Sequence, residues 1–176
     1  MLGSEEAEDG YGWDYDNWVD DLYAGKDTPT ILKAACDSFV SSCGNNSDQG
    51  LSYLKLNNMA NYFEKFEAMA VAIKETAKNN YSEFKSVINS SKRFEAFSSY
   101  GVMDGLDFLN KLGNKSRYND FANQINDVKT AYNNVVGYCK KGTGAGNTTG
   151  LAVIAATSCS YPSTETHFTN WRSIFK

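Results

Sequence analysis

Few side chains in this sequence have the types and spacing that chemistry requires. His167 is the single histidine, and Cys159, eight residues before it across a turn at Pro162, makes the only close Cys/His pair. A thiolate stabilised by an imidazolium is a nucleophile. Nothing else around the pair points to catalysis, so packing or surface roles are expected for both. Cys36, Cys43, Cys139 and Cys159 form no C-x-x-C and no zinc spacing with His167, which predicts no cysteine metal site. Cys36 and Cys43 bridge only if the helix between them ends in time, and four partly buried thiols are the expectation. Asp14, Asp16, Asp20 and Asp21 lack the glycine and glutamate of an EF-hand loop, and Trp18 and Val19 interrupt them. They read as a solvated helix start favoured by the helix dipole, with a looser calcium site as the alternative. The Lys140–Gly150 tract, KKGTGAGNTTG, offers glycines for close backbone approach to a phosphate. It follows a helix and opens a strand, the reverse of a nucleotide loop, and reads as a flexible loop. Sequons at Asn45, Asn89, Asn114 and Asn147 are ordinary in a chain this rich in asparagine.

The segment from Ser4 to Tyr15 stands apart. Glu5, Glu6 and Asp9 alternate with Tyr11 and Trp13 in a glycine-broken stretch. Paired acids beside aromatic walls suit a cationic side chain, through Coulomb attraction and cation–π contact. The plain alternative is an exposed acidic loop.

The elements that must position these residues follow from length and periodicity. The 176 residues, 41% hydrophobic, suit one domain with a real core. With 17 basic and 21 acidic residues the net charge is -4, a poor match to nucleic acid. No run of about 18 apolar residues exists, so no membrane span is expected, and the N-terminus does not read as a signal peptide. Residues 1–16 read as an acidic loop. Trp18 and Leu22 share the face of a helix that Gly25 ends, and Thr28-Pro29 caps a second helix with Ile31, Ala35 and Phe39 on one stripe. Gly50–Leu56 reads as a strand. Met59, Ala60, Phe63, Phe66, Ala70, Ile73 and Ala77 recur at steps of three and four over five turns, a long helix. Phe84, Val87, Ile88 and Phe94 suggest more helix, interrupted at Asn89-Ser90-Ser91. Two further helices are expected over Met103, Leu106, Leu109 and Leu112, and over Phe121, Ile125, Val128, Tyr132 and Val135. Leu151–Ala156 is an apolar run of strand length that calls for sheet neighbours on both edges. Phe168, Trp171 and Phe175 close the chain at helical spacing. The reading is therefore an acidic loop (1–16), a helical region (17–139), a flexible loop (140–150), and a late strand with a terminal helix (151–176).

SEEAEDGYGWDYDNW resembles the SEE-x-E-P-G-x-G-W-D-Y segment of the clostripain family of cysteine endopeptidases. The helix led by Thr28-Pro29, the Leu51–Leu56 stretch, Asp104–Leu112, Gly150–Ala156 and Phe168-Thr169-Asn170-Trp171 fall in the family's order. Asp9 replaces the family's proline, and Ala155-Ala156-Thr157 replaces a Tyr-Phe-Pro strand end. The resemblance implies an α/β fold, the C-terminal part of a caspase-like sandwich, helix-rich with few strands. It implies cleavage after Arg or Lys by a cysteine in an Asp-Ala-Cys-like motif upstream of the SEE segment, activated by an earlier histidine. Neither motif is in this sequence, so this chain alone is expected to be inactive. Glu5, Glu6, Asp9, Tyr11 and Trp13 would line a substrate groove. The partners implied are a peptide or protein substrate and the N-terminal half or second chain of the peptidase. The family's compartment is the bacterial exterior or cell envelope. A chain truncated ahead of Met1 is one expectation, and a non-catalytic peptide-binding pseudo-peptidase is the other.

Overall fold

In the computed structural model, residues 1–4, 15–44, 47–94, 101–155 and 168–175 are described. The chain is mixed α/β and helix-rich, with few strands in two small antiparallel sheets. The elements are β1 (Leu2–Gly3), α1 (Asp16–Tyr23), α2 (Thr28–Ser42), β2 (Gly50–Leu54), α3 (Met59–Asn79) and α4 (Tyr81–Ser90). They continue with β3 (Val102–Asp104), α5 (Gly105–Gly113), α6 (Ala122–Val135), β4 (Val136–Lys141), β5 (Ala152–Ile154) and α7 (Thr169–Ile174).

The larger sheet has the order β1-β2-β4, with Leu2 opposite Tyr53 and Ser52 opposite Cys139. Helix α2 covers one face, where Leu51 packs with Cys36, Phe39 and Val40. On the other face the Ser52 hydroxyl donates to the Gly150 carbonyl at 2.7 Å. Gly150 sits at φ +111°, and a Cβ there would lie 2.9 Å from the Ser52 Cβ, so only glycine lets the chain come this close.

The second sheet pairs β3 with β5, extended by a bridge from Arg93 to Met103. Leu151 and Ala155 bond across to Gly105 and Gly101, so Ala152 and Ile154 turn their backbone groups outward. No strand among the described residues takes that side. The Trp171 indole donates to the Ile154 carbonyl there at 2.7 Å, so one of the two neighbours expected for this strand is replaced by a side chain.

The core lies under α3, α4, α5, α6 and α7. Helix α3 buries Tyr62, Phe66, Met69, Ala70, Ile73 and Ala77, one face of a 3.6-residue period, while Ala60 from the expected stripe is exposed. Each large apolar side chain removed from water contributes about 1.5–3 kcal/mol. Trp171 is 2% exposed, its ring centroid 5.1 Å from Phe66, 5.3 Å from Phe108 and 5.1 Å from Phe175. The spacing of the last aromatic residues thus produces the expected helix.

Four readings shift. The cap of α2 is Asp27, whose carboxylate accepts from the Thr30 amide at 2.7 Å, and Thr28 is the first helical residue. Met103 belongs to β3, because Asp104 caps α5 by accepting from the Asp107 amide at 2.8 Å and the helix cannot begin earlier. Helix α6 runs straight into β4 without a turn, so residues 136–139 are strand rather than the end of a helical region. The stretch expected as a flexible loop starts inside β4 and is tied down, with Lys141 donating to the carbonyls of Gly146 and Thr148 and Thr148 donating to Ala145.

Candidate functional site

Glu5, Glu6, Asp9, Tyr11 and Trp13 lie outside the described residues, as do Asp14, Cys159 and His167. Their anchors do not. At one end the Ser4 hydroxyl donates to the Gly50 carbonyl at 2.8 Å, fixing the end of β1 against β2. At the other end the Tyr15 ring lies 5.4 Å from that of Trp18, and the Tyr15 carbonyl accepts the first amides of α1. The acidic, aromatic segment therefore leaves from a sheet edge and returns into a helix.

Helix α1 packs on α2. Between them opens a cleft of about 560 Å³ lined by Asn17, Ala34, Asp37, Ser38, Ser41 and Ser42. Positions 34, 37, 38 and 41 share one face of α2, opposite the stripe that buries Ala35 and Phe39. Trp18 is half-buried and Leu22 is 54% exposed, so the face expected to bury α1 is mostly outside.

Asp37 joins this cleft to β4. Its Oδ1 accepts from the Tyr138 hydroxyl at 2.6 Å and its Oδ2 from the Lys33 ammonium at 2.5 Å, with Lys140 at 4.0 Å. Burial pushes this carboxyl up, but the hydrogen bonds from Lys33 and Tyr138 outweigh it and hold Asp37 below the usual aspartate value. Lys33 also lies 4.7 Å from the Tyr138 ring centroid, a cation–π contact, and its hydrogen bond to Asp37 pushes the ammonium pKa up. The arrangement presents a fixed anion beside a row of hydroxyls. Sequence reasoning singled out none of these residues. The signal was the run of polar residues at 37, 38, 41 and 42 opposite an apolar stripe.

Among the described residues no group of three His, Cys, Asp or Glu side chains is placed to hold a metal, and Asp21 is paired with Lys26 at 2.8 Å. Cys36 is fully buried, and burial pushes its thiol up to about 12, far from a nucleophile's range. Helix α2 continues through Ser42, which separates Cys36 from Cys43 by about 10 Å of helix and rules out a bridge between them.

A second polar cluster lies inside the fold. Asp104 is fully buried and accepts from the amides of Asp107 and Thr149 at 2.8 and 2.6 Å and from the Thr149 hydroxyl at 2.7 Å. Asp107 accepts from the Lys92 amide and the Lys111 ammonium, both at 2.7 Å, and from Asn147 at 3.2 Å. These carboxylates hold the 147–151 stretch to α5 and β3. Among the described residues no helix is long and apolar enough to cross a membrane. Comparison with known proteins adds no relative: no family model, no curated protein and no solved structure matches the chain.

Proposed function

We propose that the chain is the C-terminal portion of a clostripain-like cysteine endopeptidase, forming one wall of a groove that orients peptides for cleavage after Arg or Lys. The observation that carries this reading is the segment SEEAEDGYGWDYDNW, set between the edge strand β1 and helix α1. Glu5, Glu6 and Asp9 would attract the basic side chain, and Tyr11 and Trp13 would flank it. The nucleophilic cysteine and its histidine would come from the N-terminal portion of the peptidase, and the helices and small sheets here would complete a caspase-like sandwich outside the cytoplasm. The open cleft lined by Asn17, Asp37 and Ser38 begins three residues beyond Asp14 and supports a peptide path along this side.

A second reading is a pseudo-peptidase that uses the acidic, aromatic segment to hold basic peptides without cutting them. Two measurements separate the outcomes. Fluorogenic Arg- and Lys-terminated peptides should show no turnover with the 176-residue chain alone. Turnover that disappears in Cys159→Ala or His167→Ala would instead make that pair the site. Fluorescence anisotropy should show an Arg peptide binding more tightly than its citrulline isostere, with the difference lost in a Glu5→Gln/Glu6→Gln variant. Equal binding of the two peptides would remove both readings.

A further inference from the structure

The polar cluster around Asp104 contains more hydrogen-bonding capacity than a helix cap needs. The Thr149 hydroxyl lies 2.7 Å from each Asp104 oxygen and 2.6 Å from the Tyr132 hydroxyl. Tyr132 Oη in turn lies 2.9 Å from the Leu151 amide and 3.3 Å from the Leu151 carbonyl. Five oxygens and one amide thus form a continuous chain from a buried carboxyl on β3 to the backbone at the start of β5.

We propose that Asp104, Thr149 and Tyr132 form a hydrogen-bond relay that reverses its donor direction when Asp104 takes up a proton, so that the 147–151 stretch stays seated in both protonation states. With Asp104 ionised, the Tyr132 hydroxyl donates to Thr149 and the Thr149 hydroxyl donates to the carboxylate. With one proton taken from solvent, the Asp104 hydroxyl donates to Thr149, Thr149 donates to Tyr132, and Tyr132 donates to the Leu151 carbonyl. Each hydroxyl only rotates. The Leu151 amide donates to Tyr132 Oη throughout, and the Leu151 carbonyl, which also accepts the Gly105 amide at 3.0 Å, has a second lone pair for Tyr132. No buried polar group loses its partner in either state, which is the condition for a buried carboxyl to titrate without opening the fold.

The surroundings make the protonated state reachable. Burial pushes the Asp104 carboxyl above the usual aspartate value, and the neighbouring Asp107 carboxylate adds to the rise. From α5, Lys111 faces Asp107 and is paired with it. Lys92 contributes its amide to Asp107 while its ammonium lies 5.5 Å from the Phe94 ring centroid. Lys141 of β4 is bonded to the carbonyls of Gly146 and Thr148, Tyr132 is the titratable group from α6, and β5 supplies no charge. A folded-state value raised in this way gives stability that is full below the unfolded aspartate value and fades as pH rises through the folded one. Acid therefore does not release the stretch.

The test is a carbon-13 NMR titration of the full chain. Asp104 Cγ should titrate above the ordinary aspartate range, and Tyr132 Cζ and the Leu151 carbonyl carbon should shift with the same midpoint as the hydroxyl changes partners. In Tyr132→Phe the protonated state leaves the Thr149 hydroxyl without an acceptor, so the midpoint should fall by about one pH unit. An Asp104 midpoint at or below the ordinary aspartate range, or silent Tyr132 and Leu151 carbons, overturns the relay in the wild-type chain alone. So does an unchanged midpoint in a folded Tyr132→Phe variant.

Discussion

Trp171 donates its indole N–H to the main-chain carbonyl of Ile154, and so closes the outer side of β5 with a side chain. The same ring fills the centre of the aromatic cluster made by Phe66, Phe84, Phe108 and Phe175. Trp171→Ala should destabilise the fold by about 3–5 kcal/mol, and Trp171→Phe by about 1–2 kcal/mol through the orphaned carbonyl. Urea unfolding of the two variants measures both. A loss under 1 kcal/mol for the alanine variant would mean that α7 is not part of the core.

Glu67 holds the start of α7 from another helix. Its carboxylate accepts from the Asn170 amide at 2.5 Å, the Asn170 side chain at 2.9 Å and the Trp171 amide at 3.4 Å. Glu67→Ala removes these acceptors and should cost about 0.5–2 kcal/mol, the range of a lost cap. Hydrogen exchange should quicken at Trp171 and Ile174 more than in α5 or α6. Uniform quickening would show global loss instead.

Cys36 should resist alkylation. With its thiol near 12, roughly one molecule in ten thousand carries the thiolate at pH 8, and the side chain is fully buried. Peptide mapping after iodoacetamide treatment should find Cys36 unmodified in the folded chain and labelled in urea. Equal labelling in both conditions contradicts the packing of α2 on β2.

Gly150→Ala should destabilise the chain by about 2–3 kcal/mol, since the added Cβ meets Ser52 at 2.9 Å and the backbone is left-handed. Thermal unfolding reads the loss. A neutral result would mean that the loop moves away from Ser52 at little cost.

The Asp37 cluster gives a pH signature. Because the folded carboxyl sits below the usual aspartate value, its stabilisation is present above that value and is lost as pH falls through the folded one. Asp37 is partly exposed, so the wild type should exceed Asp37→Asn by less than about 1 kcal/mol at pH 7. The gap should close as pH falls through the folded value. A gap that widens in acid would reverse the assignment.

The helices were legible where burial repeats locally. Phe66, Ala70, Ile73 and Ala77 mark α3 without reference to any other part of the chain. β4 was not, because Val135-Val136 continues an apolar helical pattern and Gly137 reads as a stop, while the strand's true partners lie in β2. Met103 is spaced like a helical residue from Leu106, and only the Asp104 cap shows the helix starting later. The 140–150 glycines suggest freedom, whereas their restraint comes from Asp104, Asp107 and Ser52, all distant in sequence. The acidic, aromatic segment lies outside the described residues, and the cleft at Asn17 needed two helices in contact before it existed.

The pairing of residue 2 with 53 and of residue 52 with 139 also carries a cost in loop closure. Helices α4 and α5, and α5 and α6, meet over short stretches of chain, whereas α3 packs chiefly on α6 and α7, which lie far along the sequence. The three-stranded sheet must bring together segments spread over most of the sequence, at an entropic cost met before its contacts form. The sheet and the packing of α3 on α6 and α7 therefore both close over long stretches of chain, and only the α4–α5–α6 run is joined by neighbours close in sequence.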